Sequence, residues 1–431
     1  MRSLTLIALL APLSTLASRL LAIHDTSSSS PSFDVYFASL RDQGFELDVA
    51  NAEDGAKLLD GRSRDYYSGL IVFAGSDKQL PRPLTPQSLS QRLSPSSTSH
   101  ASPTNLLLVV PPNAAELWRD FAREFEVDFD DRGQVVVDYF SSSSSDGSLL
   151  SLPASSLPSD TSYISPSTLS GPPILYRGAA HLAGRNPLLT NLLHAGSGAF
   201  STDAEAGASP PEEVRIAGSK AGLVSAFQAR NNARVVFAGS AELFSDELSR
   251  DQAGSPTGNP SFLRDLSAWA FQQTGQLQVV ESQHENVGTG EIGPAMYKTG
   301  SEMKYTLTLR SSPSTPPLTD LQLEFSMLDP HLRLPLALAP LSHQPSSDPS
   351  LKIYSATFTL PDRHGVFALS CSYNRPSVGL NHIQDRHTVS VVPPKHDEYD
   401  RFIKGAGPYY AGALSVSAAF AVFVAVWVVS S

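Results

Sequence analysis

Fully apolar segments alternate with amphipathic ones in the first part of the chain. Phe33, Phe37 and Leu40 recur at helical spacing over residues 33–41, and Gly44 follows as a helix-ending residue. The pattern predicts four strands with little polar alternation, at residues 19–24, 45–50, 70–74 and 106–110. Such strands, separated by helices, are typical of a parallel sheet covered on both faces. Residues 18–155 are therefore predicted to form a doubly wound, flavodoxin-like α/β domain.

Serine-rich stretches interrupt this pattern and predict loops at residues 94–102, 141–145 and 155–170. The last stretch is predicted to separate a second doubly wound α/β domain, residues 156–275. Its predicted elements are a strand at 174–176, a helix from Asn186-Pro187 to Gly196, strands at 223–230 and 234–239 around an Asn231-Asn232 turn, and a helix at 260–274.

Short alternating strands dominate the chain from residue 276 onward, with proline- and serine-rich turns between them. The predicted strands lie at residues 304–310, 321–328, 353–360, 366–374 and 387–392. Alternation with a period of two is typical of antiparallel sheets that are buried on one face. Residues 276–397 are therefore predicted to form an antiparallel β-sandwich.

The two ends of the chain predict a membrane protein. Residues 411–429 contain no charged side chain and follow Tyr409 and Tyr410, so residues 408–429 are predicted to form one transmembrane helix. At the other end, Arg2 precedes a short apolar run, and small residues before position 17 predict a signal peptide over residues 1–17. Together the ends predict a single-pass type I protein whose bulk lies in the lumen or outside the cell.

Small residues recur at four-residue spacing along the predicted transmembrane helix. They form two neighbouring rows, Ala413, Ser417, Ala421 and Ala425, and Ala411, Ser415 and Ala419. Such rows allow two helices to approach closely, and serine hydroxyls can bond across the contact. The rows predict that this helix packs against other membrane helices.

Charge and cysteine content narrow the class of partner. The chain carries 31 Lys and Arg against 42 Asp and Glu, a net charge of −11, which argues against nucleic-acid partners and against electrostatic docking to anionic lipid. Its one cysteine, Cys371, forbids a disulfide within the chain and alternates with Phe367 and Leu369 on one face of a strand. Cys371 is therefore predicted to be a buried core residue.

The motifs that could carry chemistry do not fit their required context. Gly288-Thr-Gly290-Glu-Ile-Gly293 is followed by Pro294 and a strand, so it predicts a turn and not a dinucleotide site. Asp128-Phe-Asp130-Asp131 alternates as a solvated strand does. No G-x-S-x-G sequence occurs, and the histidines are scattered, although a triad assembled in space stays open. No catalytic, cofactor-binding or metal-ligating residue is predicted.

Several longer stretches resemble one protein family, the Wbp1-type, forty-eight-kilodalton accessory subunit of the endoplasmic-reticulum oligosaccharyltransferase. The most specific are Gln228-Ala-Arg230-Asn231-Asn232-Ala-Arg234-Val-Val-Phe-Ala-Gly239-Ser240, Phe244-Ser245-Asp246-Glu247, and Glu398-Tyr399-Asp400-Arg401-Phe402-Ile403. Further matches, such as Leu360-Pro-Asp362-Arg-His-Gly365-Val366-Phe367, bring the resemblance from about residue 35 to residue 411, in order.

The resemblance implies a non-catalytic role in protein N-glycosylation, in the endoplasmic-reticulum membrane. In that complex a separate, multi-spanning subunit transfers the preassembled glycan from dolichyl diphosphate to Asn of N-x-S/T. The implied partners are that subunit and the other subunits of the complex, and contact with the dolichyl-linked oligosaccharide is left open. Six of the matched residues are expected first of all to fix a turn and a helix start. Direct contact with a partner is their secondary expected role. They are Arg230, Asn231, Asn232, Arg234, Ser245 and Asp246.

Two other functions stay open on the sequence alone. An independent lumenal carbohydrate-active hydrolase would need an acid/base pair in a cleft. A GPI-anchored binding protein would need small residues, a polar spacer and an apolar tail. Gly405-Ala406-Gly407 supplies the small residues, but no polar spacer follows them.

Overall fold

The computed structural model describes residues 18–24, 31–77, 80–94, 103–144, 146–159, 162–203, 214–250, 254–312, 315–340, 348, 350–398 and 404–430. Three sequence-based predictions fall wholly or largely outside these residues. They are the signal peptide (1–17), most of the serine-rich stretch 94–102, and positions 399–403 of the family match that begins at Glu398.

Seven α-helices and twenty-three strands are defined in the described residues. The helices are α1 Asp34–Asp42, α2 Ala52–Asp60, α3 Pro86–Leu93, α4 Glu116–Arg123, α5 Pro166–Leu169, α6 Asn259–Ala270 and α7 Gly407–Ser430. The strands are β1 Arg19–Ile23, β2 Glu46–Ala50, β3 Gly69–Phe73, β4 Asn105–Val109, β5 Val127–Phe129, β6 Gln134–Val137, β7 Leu150–Leu152, β8 Ile174–Tyr176, β9 His181–Ala183, β10 Leu189–His194, β11 Phe200–Asp203, β12 Gly222–Gln228, β13 Arg234–Ala238, β14 Leu277–Asn286, β15 Glu291–Ile292, β16 Met296–Lys298, β17 Glu302–Ser311, β18 Gln322–Ser326, β19 Pro330–Pro335, β20 Ala337–Leu338, β21 Leu351–Thr359, β22 Gly365–Tyr373 and β23 Ile383–Val392.

A nine-stranded sheet organises the first part of the chain. Its order is β2-β1-β3-β4-β13-β12-β9-β5, with β10 also paired to β12, and the strands from β2 to β13 in this order are parallel. Both faces are covered, because alternate side chains of each strand enter different cores. Leu20 and Leu107 pack with α1 and α6, whereas Leu21 and Leu108 pack with α2, α3 and α4.

The sheet joins the two segments that were predicted to be separate α/β domains. β4 lies in residues 18–155 and β13 in residues 156–275, yet they pair in parallel, with Leu107 opposite Val236. β7 with β8 and β6 with β11 also pair across this boundary. The reason is that β13 is buried along its whole length, so it requires a strand on each side and cover on both faces. We call residues 18–275 the α/β unit.

Two local predictions in the α/β unit are wrong. The helix expected from Asn186 to Gly196 is instead strand β10, which pairs antiparallel with β12. The sequence Leu-Leu-Thr-Asn-Leu-Leu at residues 188–193 fits either structure, and the available sheet partner decides which one forms. Helix α6 has the predicted buried face but ends at Ala270 and not near residue 274, because Gln272 takes a left-handed conformation with φ of 61°.

Residues 276–397, the β unit, contain two five-stranded sheets. One has the order β15-β14-β17-β21-β20 and the other β16-β23-β22-β18-β19. Their buried side chains form a single cluster that includes Leu307 of one sheet and Phe325, Leu369 and Cys371 of the other. The five predicted strands are present as β17, β18, β21, β22 and β23. The sequence prediction missed the long strand β14 and the shorter strands β15, β16, β19 and β20.

Cys371 is fully buried, as predicted. Burial, with a smaller contribution from the Asp385 carboxylate, raises the pKa of its thiol to about 12. The thiol is therefore neutral at physiological pH, and Cys371 acts as a core side chain.

Helix α7 matches the predicted transmembrane segment. Among the described residues it lies in the one segment long and apolar enough to cross a membrane, residues 404–430. None of its side chains is buried against the rest of the chain. Its apolar surface is therefore available to lipid or to other membrane helices.

Candidate functional site

The matched motif around residues 228–240 forms a hairpin between β12 and β13. Asn232 has a φ of 66°, the left-handed conformation expected for a tight turn at Asn231-Asn232. The Asn231 side chain accepts from the Ala233 N–H at 3.0 Å and donates to the Leu93 carbonyl at 2.8 Å. The Arg230 side chain is exposed.

This hairpin contacts the β unit through the segment 376–382. The Asn232 amide donates to the His382 carbonyl at 3.0 Å and accepts from the His382 N–H at 2.7 Å, as a neighbouring strand would. The Gln228 amide donates to the Leu380 carbonyl at 3.0 Å. Side chains of β12 and of the turn thereby satisfy backbone groups of the other unit.

Arg234 is the central residue of the contact and is fully buried. Its guanidinium donates to the carbonyls of Trp269 at 2.5 Å, Thr274 at 2.7 Å and Gly275 at 3.0 Å, and to Oδ1 of Asn381 at 2.6 Å. It also lies 4.7 Å from the centre of the Trp269 ring, a cation–π distance. Burial lowers the pKa of Arg234 to about 9, which still leaves the side chain charged at neutral pH.

Two aromatic side chains of the α/β unit complete the contact around Gly379. The Trp269 indole N–H donates to the Gly379 carbonyl at 2.9 Å, and the Tyr163 hydroxyl donates to the Pro376 carbonyl. Gly379 has a φ of 75°, and a Cβ there would lie 3.0 Å from both rings. Only glycine fits this close approach. We call the hairpin, Tyr163, Trp269 and segment 376–382 the unit junction.

Ser245 and Asp246 lie at the opposite end of β13 from Arg234, so the structure does not bring all six matched residues together. The Asp246 carboxylate accepts from the backbone N–H of Val35 at 2.9 Å, from that of Asp34 at 3.3 Å, and from the Ser32 hydroxyl at 2.7 Å. It therefore caps the first turn of α1, where a negative charge is favoured. The Ser245 hydroxyl bonds to the Glu242 carbonyl at 2.7 Å.

The small residues of α7 are all exposed in the isolated chain, including the seven that form the two rows. Ser415 donates to the Gly412 carbonyl at 2.8 Å, and Ser417 to the Ala413 carbonyl at 2.9 Å, so both hydroxyls are satisfied within the helix. An approaching helix would meet a smooth surface with few large side chains.

In the part of the chain that the structure describes, two serine–histidine pairs occur, and neither has the arrangement of a catalytic triad. Ser225 Oγ lies 2.6 Å from His181 Nε2, but both residues are fully buried, and burial lowers the pKa of His181 to about 3. Ser282 Oγ lies 2.7 Å from His387 Nε2. There the Asp385 carboxylate approaches the same ring nitrogen, at 3.3 Å, whereas a triad places it on the other nitrogen.

The acidic and glycine-rich motifs have structural roles. Asp128 pairs with Arg123 at 3.0 Å and with Arg215, so its charge is already compensated. Within the described residues, no group of three or more His, Cys, Asp or Glu is placed to hold a metal ion. Gly288 and Gly290 lie in the turn between β14 and β15, with φ of 70° at Gly290, and Gly293 directly follows β15.

Sequence reasoning missed most partners of Arg234. One signal pointed to the junction, since a charged residue that begins the apolar run Val-Val-Phe-Ala requires buried partners. Those partners are mainly backbone carbonyls. Every residue carries a backbone carbonyl, so the sequence does not indicate which ones accept from Arg234.

Comparison with known proteins gives matches over both units. The family model described as OST48, N-terminal domain, matches residues 11–273, and the OST48 middle domain matches residues 281–431. The gap between them lies close to the start of β14, where the α/β unit ends.

Three curated relatives are similar along nearly their whole length. The "Dolichyl-diphosphooligosaccharide--protein glycosyltransferase 48 kDa subunit" of Arabidopsis thaliana is 32% identical, over 94% of this chain and 91% of its own. The protein of the same name from Drosophila melanogaster is 31% identical, over 94% and 88%. The "subunit wbp1" of that glycosyltransferase from Schizosaccharomyces pombe is 30% identical, over 92% and 88%. A solved structure of the C-terminal domain of wzt aligns with 28% of this chain and 77% of its own, at 12% identity. Its TM-score of 0.19 is too low to indicate a shared fold.

Proposed function

This chain belongs to the OST48 family, and on that basis we propose that it is a non-catalytic subunit of oligosaccharyltransferase. That complex transfers a preassembled glycan from dolichyl diphosphate to Asn of N-x-S/T in nascent proteins. The observation that carries the proposal is similarity over both units, to relatives that are named as subunits of this glycosyltransferase in a plant, an insect and a fungus. The chain scaffolds the complex, and a separate multi-spanning subunit performs the transfer.

The edge of the sheet where a ligand would be expected supports a non-catalytic role. In doubly wound sheets, ligands bind at the carboxyl ends of the strands, and anionic groups bind at a helix N-terminus. In this chain the Asp246 carboxylate already occupies the N-terminus of α1. The adjacent space between β1 and β3 holds packed rings, with Phe33 stacked on Phe73 at 4.4 Å and Phe244 at 5.6 Å from Phe73. A nucleotide or diphosphate would have to displace the Asp246 carboxylate and these packed rings.

The unit junction supports a scaffolding role. A buried arginine that bonds to four partners in two units orients one unit relative to the other. Arg234 and Asn232 are therefore positioning residues of the assembly, and the exposed Arg230 is the matched residue that is free to contact a partner.

We propose the single-pass type I orientation in the endoplasmic-reticulum membrane, with residues 1–17 as signal peptide and both units in the lumen. Helix α7 anchors the chain and packs against membrane helices of other subunits through Ala411, Ala413, Ser415, Ser417, Ala419, Ala421 and Ala425. Contact with the dolichyl-linked oligosaccharide is part of the same proposal, through the assembled complex. At the level of fold, we interpret the parallel part of the large sheet as flavodoxin-like and the β unit as a β-sandwich.

Affinity purification of the tagged full-length chain in a mild detergent tests this function. We expect the multi-spanning glycosyltransferase subunit and the other subunits to co-purify, and the purified chain alone to hydrolyse no glycoside. Turnover of a glycoside by the isolated chain would instead favour the lumenal hydrolase. Recovery of an intact peptide covering residues 404–430 from membranes would exclude GPI anchoring, because that signal is removed.

A further inference from the structure

Exposed apolar side chains concentrate at one end of the β unit. Among its described residues, eight large hydrophobic side chains are exposed. Six of the eight lie at the end formed by the β14–β15 and β18–β19 turns, the start of β22 and strand β16: Val287, Ile292, Met296, Met327, Leu328 and Val366. We call these six residues the membrane-end patch. Leu328 is 94% exposed and Met296 66%, values that are unusual for such residues unless they serve a contact.

Strand register places the central members of the patch side by side. Met296 and Val366 are both paired with Ser390 of β23, one from each side, so they share one row on the outer face of their sheet. Met327 lies at the same end of the sheet, because its sulfur would be 2.7 Å from a Cβ added to Gly365, the residue before Val366. Leu328 follows Met327 in the β18–β19 turn. Met296 and Val366 therefore lie side by side, and Met327 and Leu328 are exposed at the same end of this sheet.

The chain leaves the β unit for the membrane at this same end. Strand β23 ends at Val392, and the Glu398 carboxylate bonds to the Lys298 ammonium of β16 at 2.7 Å. Only residues 399–403 separate Glu398 from Lys404, where the apolar segment begins. Six residue steps span at most about 20 Å. The membrane-end patch thus lies close to the bilayer, whereas the unit junction lies at the other end of β22 and β23.

The charges around the patch decide between lipid and protein as its occupant. Apart from the Lys298–Glu398 and Lys304–Glu285 pairs, the described residues of the β unit at this end expose five carboxylates and two cations. The carboxylates are Glu291, Glu302, Asp329, Asp362 and Asp397, and the cations are Arg363 and Lys395. Surfaces that rest on a bilayer carry Trp or Tyr with Lys or Arg. The patch has neither an aromatic residue nor a basic rim. An exposed apolar patch can serve either a protein or a membrane contact, and here the acidic rim favours a protein.

We propose that the membrane-end patch docks a second membrane-held subunit of the same complex, through an apolar surface rimmed by Lys or Arg close to the bilayer. The proposal rests on the function proposed above. The docked surface belongs to the partner's lumenal part, so this contact is additional to helix packing by α7. The partner is held at the membrane, because Glu398, which bonds to Lys298 near Met296, can lie no more than about 20 Å from the start of the apolar segment.

Paired variants of the full-length, tagged chain test the proposal by co-purification in mild detergent. The patch variant carries Met296→Ser, Leu328→Ser and Val366→Thr. The control carries Val49→Thr, Val280→Thr and Leu338→Ser, three exposed apolar residues elsewhere. We expect the patch variant to recover one membrane subunit at least tenfold less than wild type, with the control unchanged. Equal recovery by the patch variant overturns docking but leaves the proposed function intact. Absence of every subunit from the wild-type purification overturns the proposed function itself.

Cross-linking in native membranes distinguishes protein from lipid. Cys371 is buried, so a cysteine introduced as Leu328→Cys is the accessible thiol for a maleimide photo-crosslinker. A protein adduct at Leu328→Cys, absent at Leu338→Cys, supports docking. Adducts to lipid alone overturn it.

Discussion

Replacement of Arg234 by methionine is the sharpest test of the unit junction. Methionine keeps much of the side-chain volume but donates no hydrogen bond. Gln272 N–H still satisfies the Trp269 carbonyl, and Asn381 N–H still satisfies the Gly275 carbonyl. The Thr274 carbonyl and Asn381 Oδ1 lose their donor.

The size of the effect follows from these two acceptors. Each buried, unsatisfied acceptor destabilises a protein by about 1–3 kcal/mol. Loss of the cation–π contact with Trp269 adds as much as about 2 kcal/mol. The substitution also removes the cost of burying a charge, which the lowered pKa of Arg234 indicates, and this offsets part of the loss in stability. We therefore expect a net loss of about 2–5 kcal/mol.

Thermal unfolding of the full chain in detergent measures the loss, which corresponds to a Tm lowered by about 4–20 °C at ~2–4 °C per kcal/mol. Hydrogen exchange adds a local measurement, because the Asn381 and His382 amides donate across the junction. We expect both to lose protection. The matched control is Arg230→Met, the same change at an exposed position, which should shift stability by no more than about 0.5 kcal/mol. Equal stability and equal exchange in the two variants would refute the reasoning.

Three further changes test other parts of the structure. Asp246→Asn removes the negative charge at the N-terminus of α1 and should lower the free energy of unfolding by about 0.3–1 kcal/mol in a denaturant titration, with the exposed neighbour Glu247→Gln as a near-neutral control. Burial holds the pKa of His181 near 3, below its unfolded value of about 6.5, so the unfolded state binds the extra proton between these values. Stability is then full above pH 6.5 and falls by about 1.4 kcal/mol per pH unit below it, and His181→Gln should flatten a plot of urea midpoint against pH. Gly239→Ala would place a Cβ 2.1 Å from a backbone oxygen and should lower Tm strongly, whereas Gly288→Ala, with 3.5 Å to its nearest contact, should not.

Local patterns predicted much of the secondary structure. The strands of the β unit largely alternate between buried and exposed positions, so β17, β18, β21, β22 and β23 could be found from one sequence. The Asn231-Asn232 turn was also predictable, since asparagine tolerates the left-handed conformation. Strand partners were not predictable, because no local pattern specifies that Leu107 lies beside Val236. That pairing merges two predicted α/β domains into one unit.

The candidate site was predictable only in part, for a related reason. The motif that contains Asn232 and Arg234 was identified, but as the support of a turn and not as the contact between units. The partners of Arg234 lie 35 to 147 residues away along the chain, and three of its four acceptors are backbone carbonyls. Only the folded arrangement brings them within reach of one guanidinium.

The junction and the membrane-end patch lie at opposite ends of one strand pair, so a substitution at one should not affect the contacts of the other. β22 and β23 pair without a register shift from Tyr373, next to the junction, to Gly365, next to the patch. Nine residues of strand span about 30 Å. A continuous pair of this length holds the two ends apart at a fixed distance, but changes at one end alter no contact at the other. Arg234→Met should therefore loosen the α/β unit while the chain still captures the same membrane subunits as wild type. Substitutions in the patch should do the reverse, with lost capture and an unchanged Tm. If Arg234→Met also lost the partner selectively, the junction itself, and not the membrane end, would have to be the docking surface.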